Sequence, residues 1–436
     1  MSTGMKARPL HMLMPALTML AACTVALAAC GGGSSSKGTG GSAPATMNIG
    51  VIYPFTGANA DQGAIGMAGC LAGVAEVNAA GGVLGGKFTC KPSDTKGDPA
   101  DAVSAANQLM ASAQPVMVIG ASDDAVATAP IVTAAHIPNF ATIGDPHFDN
   151  QTNQYFYRLT PSDALQGVAL GYWAATHGYK HPAAVFTSDL GAQTSVPPLR
   201  DEFKKRGGSL AADVTLSPGQ SSYRTEVAKI IAAKPDTLIS EMDPQSSTTF
   251  LTEYLQLGGH LPVVLGTQRT SNSDWMQAVL GGIGKATFTG SIRSITPYVA
   301  LSGPGYDLYK QWLMTLGSQV KDPSQYAGHP YAISDYDAVN ITALAMVEAN
   351  SAKPTAYNSA ITKVTAAAPG AAVVHNYADG LSALKAGKQI QYVGASGPLI
   401  FNQFHSAGRA FSYDEYDAAS KSMVPKTVIP GTALNG

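Results

Sequence analysis

The sequence predicts an α/β protein built as two Rossmann-like lobes with parallel sheets, and three observations carry that expectation. Short apolar runs alternate with amphipathic stretches from residue 48 onward, the pattern of βαβ units whose parallel strands lie under helices on both faces. The alternation comes in two sets of similar length, before and after about residue 160. The chain, at 436 residues, is too long for one ordinary core and suits two lobes of roughly 150 to 250 residues each.

Asn48-Ile49-Gly50-Val51-Ile52-Tyr53 reads as a buried strand, ended by Pro54 and a Thr56-Gly57 turn. Residues 60–79 carry helical periodicity and are stopped by Asn78 and Gly81-Gly82, residues that punctuate helices. Further strands are expected at 87–92, 115–119, 138–141, 182–187, 210–216, 236–240, 262–265 and 286–290. Helices are expected between most of them, near 99–113, 124–136, 162–177, 192–206, 222–233 and 246–258. Three more follow near 304–317, 331–350 and 355–366, and the tail at 389–427 reads as strand-rich. Ligands of such sheets bind outside the carboxyl ends of the strands, where loop amides and helix N-termini converge.

The first residues set the compartment. Lys6 and Arg8 precede an apolar run from about Leu10 to Ala29 with no acidic residue, the form of a secretory signal. The run ends in Leu27-Ala28-Ala29-Cys30, which resembles the bacterial lipobox whose cysteine is acylated. Leu20-Ala21-Ala22-Cys23 is a second match, but the chain stays apolar after Cys23. After Cys30 it becomes Gly31-Gly32-Gly33-Ser34-Ser35-Ser36, a flexible tether. Cys30 is therefore the expected lipidation site, with 1–29 the signal peptide and 30–46 the acylated cysteine and tether. An uncleaved membrane helix is the alternative, since the run is close to the ~20 residues that span a bilayer. Either way the body lies outside the cytoplasm. If the organism has an outer membrane, Gly32 rather than Asp at the second position after the cysteine favours sorting to it.

Charged residues make up 13% of the chain and the net charge is −2, so no basic patch points to nucleic acid. Cys70 and Cys90 are the two body cysteines. An oxidising compartment and an even count point to a disulfide between the first helix and the second strand, with two buried thiols as the alternative. No CxxC spacing marks a metal or redox site.

Several catalytic or ligating patterns fail on inspection. Gly81 to Lys87 reads GGVLGGK, close to a phosphate-binding loop. Phe88 stands where Ser or Thr should hold magnesium, and the segment follows a helix instead of a strand. His177 and His181 have i, i+4 spacing, but Gly178 and Pro182 break the helix that would aim them at one metal. Gly394-Ala395-Ser396-Gly397 lacks the spacing of a nucleophile elbow. No metal, cofactor or catalytic residue is expected.

Five segments, in order, resemble the Leu/Ile/Val-binding protein family, the type I periplasmic solute-binding proteins of branched-chain amino acid ABC transporters. They are Ile49 to Gly57 (GVIYPFTG in its core), Val77 to Gly85 (VNAAGGVLG), Tyr155 to Asp163 (YFYRLTPSD), Tyr336-Asp337-Ala338-Val339, and Gly394 to Gly408 with Phe401-Asn402 between. The resemblance runs from about 48 to 420 and implies a Venus-flytrap: two lobes joined by three crossovers, near 159–162, 289–293 and 392–397. On that pattern the N-terminal lobe is 47–160 plus 291–392, and the C-terminal lobe is 161–290 plus 393–436. It also implies an extracytoplasmic, non-enzymatic receptor. Such a receptor captures a small polar solute (an amino acid or amino-acid-like molecule, an amide or an organic acid) for an ABC permease, as a monomer and without a cofactor. A sensory module for a signalling receptor, and a cleft hydrolase, are the other classes considered.

The resemblance also places a pocket. The family's carboxylate-binding Ser or Thr after the third strand falls on Asp124, and its small-residue loop after the fourth strand falls on Thr142, Gly144 and Asp145. The aromatic after the opening turn is Gln62, the tyrosine before Gly191 is Leu190, and the acidic group for the ligand's ammonium is Gln268, beside Arg269. Tyr336 matches the family's pocket tyrosine. Two like charges ~4 Å apart at an effective dielectric near 20 repel by about 4 kcal/mol. An ionised Asp124 facing a ligand carboxylate would thus cost ~10³-fold in affinity, and Gln268 cannot neutralise an ammonium. The usual zwitterion clamp is therefore not expected. Other readings stay open: Asp124 as a helix N-cap together with Ser122 and Asp123, Asp145 as a turn residue, Gln268 and Arg269 as solvated loop, and Tyr336 as core.

Overall fold

β1 (Thr46–Tyr53) is an apolar run buried at every residue from Ile49 to Tyr53, as a central parallel strand covered on both faces must be. The computed structural model describes residues 43–434 apart from 58, 121–123 and 409. The leader, Cys23, Cys30, Ser122 and Asp123 lie outside the described residues. After β1 come α1 (Ala60–Ala79), β2 (Lys87–Asp94), α2 (Pro99–Ala113), β3 (Met117–Gly120), α3 (Ala125–Ala134), β4 (Asn139–Ala141) and β5 (Phe156–Arg158). Their strands form one parallel sheet in the order β2-β1-β3-β4-β5. A Cys70–Cys90 disulfide ties α1 to β2 across 20 residues of sequence.

The second lobe opens with α4 (Asp163–Thr176), β6 (Ala183–Thr187), α5 (Leu190–Thr194), α6 (Val196–Lys205), β7 (Ala212–Leu216) and α7 (Arg224–Ala233). It continues through β8 (Thr237–Glu241), α8 (Pro244–Gly258), β9 (Val263–Gly266), α9 (Ser273–Ile283), α10 (Lys285–Ser291) and β10 (Ile292–Pro297). The chain then adds α11 (Pro304–Met314), α12 (Pro330–Glu348), α13 (Pro354–Thr365), β11 (Ala372–Val374), α14 (Tyr377–Lys385), β12 (Ile390–Gly394) and β13 (Gly397–Pro398). These pack on the first sheet: Ala338, Val339, Tyr357, Tyr377 and Tyr392 share one core cluster with Val51, Ile119 and Phe140. Finally β14 (Phe411–Asp417) and β15 (Ser422–Ile429) join the second sheet, ordered β15-β14-β10-β9-β8-β6-β7.

Residues 286–290, expected as a strand, belong to α10. The Ala286-Thr287-Phe288-Thr289 run has strand-like composition, but the Phe288 amide bonds the Gly284 carbonyl at 3.0 Å. That helical turn inserts Phe288 between Trp275 and Tyr416. The strand follows immediately as β10, paired with β9 and β14. The chain therefore leaves the second sheet after Pro297 rather than near 289–293. It re-enters that sheet between Ala407, still in the first core, and Phe411, not at 392–397.

The segments that resemble the family hold the architecture together. Arg158 pairs with Asp149 at 2.7 Å, and Ser162 donates to the same carboxylate at 3.0 Å. The backbone of Arg158 also bonds His405 O and Ala407 N at 2.8 Å each, so the first and third crossovers lie side by side. Asn78 donates to Phe88 O and accepts from Phe88 N, both at 2.9 Å. Asp337 in α12 accepts from Tyr392 Oη, Ala395 N, Ser396 N and Ser396 Oγ, which fixes the β12–β13 turn onto the helix.

Candidate functional site

The segments that follow β3 and β4 in the first lobe and β8 and β9 in the second supply the residues that face the cleft. On the first lobe, Thr142 follows β4 and is buried. Its hydroxyl lies 3.1 Å from Tyr53 Oη, which donates to Asp335 Oδ2 at 2.9 Å. Asp335 is fully buried, its Oδ1 has no hydrogen-bond partner among the described residues, and burial drives its carboxyl well above the usual range. Asp124, also buried, stands at the N-cap of α3 one strand away.

Gly144 lies hard against the start of the second lobe. Its carbonyl accepts from Asp163 N at 2.6 Å, and a Cβ on Gly144 would sit 1.8 Å from Asp163 Oδ1. Only a residue without a side chain permits that approach. Tyr331, in the first turn of α12, completes this part of the cleft. Burial pushes its hydroxyl pKa up, Asp163 and Glu241 add to the rise, and hydrogen bonding with Gln268 and Thr160 opposes it.

At the mouth a hydrogen-bonded bridge joins the lobes. Asn272 donates to Asp61 Oδ2 at 3.2 Å, and its Oδ1 lies 3.2 Å from His329 Nε2. The Nδ1 of His329 accepts from Tyr331 N, so Nε2 carries the proton and donates to Asn272. Burial lowers the His329 pKa to about 4, in keeping with that neutral form. The Asp61 carboxyl is raised to about 6, by burial and then by Asp274, while Arg269 draws it back down. Ser273 and Gln325 add a second interlobe contact at 3.2 Å.

The expected residues divide accordingly. Thr142, Gly144, Gln268 and Arg269 come to the interlobe region, and Gln62 sits half-buried beside Asp61 in the first turn of α1. Asp124 is on the first-lobe side, but its carboxylate makes no bond to the amides of α3, so it does not act as that helix's cap. Asp145 is a turn residue: its carboxylate accepts from His147 N at 2.8 Å and caps the short helix Pro146–Phe148. Tyr336 is a core residue, fully buried with its hydroxyl bonded to the Glu76 carboxylate, because the cleft-facing end of α12 lies more than a turn earlier, at Tyr331. Sequence reasoning passed over Tyr331, Thr160, Asp163 and Glu241. Asp163 was visible within the Pro161-Ser162-Asp163 motif, whereas Glu241 required knowing that β8 ends beside β9. A cavity of about 710 Å³ lies elsewhere on the first lobe, lined by Pro130, His136, His147 and Tyr155, and contains none of the expected residues.

The model of the family described as Periplasmic binding protein matches residues 46–386. Curated relatives include the Leu/Ile/Val-binding protein homolog 1 of Brucella abortus, 29% identical over 197 residues, 44% of this chain and 52% of that one. The Amino acid binding protein of Pseudomonas aeruginosa is 28% identical over 195 residues, with the same shares. The chain spans about half the length of the curated relatives it matches. Among solved structures, a branched-chain amino acid transporter substrate binding protein from Streptococcus pneumoniae, in complex with isoleucine, has a TM-score of 0.69 at 17% identity. That alignment covers 88% of this chain and 99% of the other. An ABC transporter solute binding protein from R. palustris, in complex with benzoate, has a TM-score of 0.68 at 17% identity, covering 88% and 96%. These likenesses show the bilobed α/β Venus-flytrap fold.

Proposed function

The chain belongs to the periplasmic binding protein family, and on that premise we propose that it is an extracytoplasmic receptor, lipid-anchored through Cys30, for a small polar solute. The solute is of amino-acid, amide or organic-acid size and is handed to an ABC importer. The role is capture and release, not catalysis. The observation that carries this reading is the meeting of Gly144 and Tyr331 from one lobe with Asp163, Glu241 and Gln268 from the other. A solute seated there makes contacts with both lobes only when they are closed, and so shifts the hinge equilibrium toward closure. The names of the relatives, a Leu/Ile/Val-binding protein homolog and an amino acid binding protein, support the size class.

The test is a thermal-shift screen against amino acids, amides, polyamines and carboxylates. A ligand at 100 times its Kd stabilises the native state by about 2.7 kcal/mol and raises the melting temperature. A hit should be recovered unchanged and should reduce the radius of gyration in small-angle scattering. No shift from any class would remove the reading. For the anchor, Cys30→Ser should release the protein from the membrane fraction, and continued retention would count against lipidation at that residue.

A further inference from the structure

α9 starts with an asparagine whose side chain does not serve the helix. Asn272 holds the N-cap position with extended backbone, φ −71° and ψ 139°, yet its side chain accepts no hydrogen bond from the amides of α9. Asparagine is among the best residues for that task. Its carboxamide reaches across the cleft mouth instead. Nδ2 donates to Asp61 Oδ2 at 3.2 Å, in the first turn of α1, and Oδ1 lies 3.2 Å from Nε2 of His329, the N-cap of α12. α1 and α12 share the first-lobe core, so one second-lobe carboxamide is held at both its polar atoms by the other lobe. The polarity is fixed: an ionised carboxylate only accepts, so Nδ2 faces Asp61 and Oδ1 takes the proton of His329 Nε2. The His329 tautomer agrees, since Nδ1 accepts from Tyr331 N at 3.3 Å. One residue on, Ser273 Oγ lies 3.2 Å from Gln325 Oε1, and Asp322 braces Gln325 by accepting from its Nε2 at 2.7 Å.

We propose that Asp61, Asn272 and His329 form a latch that holds the lobes closed before any solute arrives, with Asn272 as its positioning residue. The effect on affinity rests on the reading of the cleft as the solute site, and it adds a determinant outside the solute's own contacts. Both bonds break when the lobes part, and each group then turns to water. The net gain from making them is modest for the neutral pair and larger for the bond to the carboxylate. Together they shift the closed-to-open ratio by about 30-fold. A solute that binds the closed form has an apparent Kd equal to the intrinsic one divided by the closed fraction. The latch therefore raises the affinity for every solute of the cleft by one common factor and leaves selectivity between solutes unchanged.

The experiment measures the interlobe distance by pulsed electron spin resonance on the full chain in mild detergent, without solute. Spin labels are carried by Gln277→Cys in α9 and Lys321→Cys in the first lobe, both exposed positions, while Cys70 and Cys90 are paired and stay unlabelled. The latched protein should give one short distance. Asn272→Ala should add a longer one as the closed-to-open ratio falls about 30-fold. Asn272→Asp keeps a good helix cap but sets a second carboxylate against Asp61, and should open the lobes further. Adding Asp61→Asn to Asn272→Asp exchanges donor for acceptor and leaves one carboxylate, still placed to accept from His329, so the short distance should return. A merely structural Asn272 would lower the melting temperature in every variant and show no rescue by the exchange. That outcome, a long distance in the unsubstituted protein, or one distance common to all variants overturns the latch. None of these measurements uses a solute, so each of those results leaves solute capture standing. A thermal-shift screen without a hit, with the rescue intact, overturns capture and keeps the latch.

Discussion

Asp337 offers a test of whether the family-like segments serve architecture. It is fully buried, and it accepts from Tyr392 Oη at 2.8 Å, Ala395 N at 2.9 Å, Ser396 N at 2.7 Å and Ser396 Oγ at 2.5 Å. Asp337→Ala removes the acceptor for all four donors. The Ser396 groups are partly exposed and can turn to water, but Tyr392 Oη and Ala395 N stay buried. Each orphaned buried donor costs about 1–3 kcal/mol, so the variant should lose about 4 kcal/mol. That is a large share of a stability on the order of 5–15 kcal/mol. The assay is equilibrium urea unfolding followed by circular dichroism at pH 7. The midpoint should fall with the slope unchanged. Gly394→Ala should produce a related loss, since its Cβ would sit 2.1 Å from Asp337 Oδ1. A loss below about 1 kcal/mol for Asp337→Ala, in view of the magnitudes above, would refute the reasoning.

Three further outcomes are expected. Replacing Cys70 and Cys90 together by Ser opens a 20-residue separation and should cost ~3 kcal/mol in the chain-entropy account, read as a fall in Tm; non-reducing mass spectrometry checks the bond directly. Burial raises Glu76 from 4.5 to about 7, against hydrogen bonds from Tyr336 and Tyr377. A raised folded pKa gives stability that is present below about 4.5 and lost as pH rises through about 7, roughly 3 kcal/mol in all. Wild type and Glu76→Gln should therefore diverge over that window, and parallel stability curves would count against the assignment. Gly144→Ala should hold the lobes apart, because the added Cβ meets the Asp163 carboxylate. Small-angle scattering should show a larger radius of gyration with the melting temperature little changed, and an unchanged radius would show that the approach is not sterically limited by Gly144.

Much of the fold was legible because its periodicity is local. Helices expected at 60–79 and 99–113 are α1 and α2 to the residue, since apolar spacing, Asp98 as a cap and Gly81-Gly82 as a stop all act within a few residues. The miss at 286–290 arose where local composition and tertiary pairing disagree: Phe288 enters the core as part of a helix, and β10 is a strand because β9 and β14 flank it. The candidate site was legible in part. Thr142, Gly144 and Gln268, expected at the pocket from the family's pattern, lie where the two lobes face each other. Tyr336 was placed in the pocket by its motif, but it spends its hydroxyl on Glu76, and Tyr331 takes the cleft position.

By itself the sequence determined the α/β alternation and the two sets of βαβ units, and it pointed to the Cys70–Cys90 bond that the structure shows. These depend on spacing along the chain and on residue chemistry, and both are written in one dimension. Only the tertiary structure decided which motif residues brace the hinge and which face the cleft, and only it brought Asp163, Glu241, Thr160 and Gln268 around Tyr331. Those four come from the first crossover and from the ends of three elements that are neighbours only after two sheets have formed. No local pattern encodes that neighbourhood, because it exists only once the two sheets and the first crossover are in place.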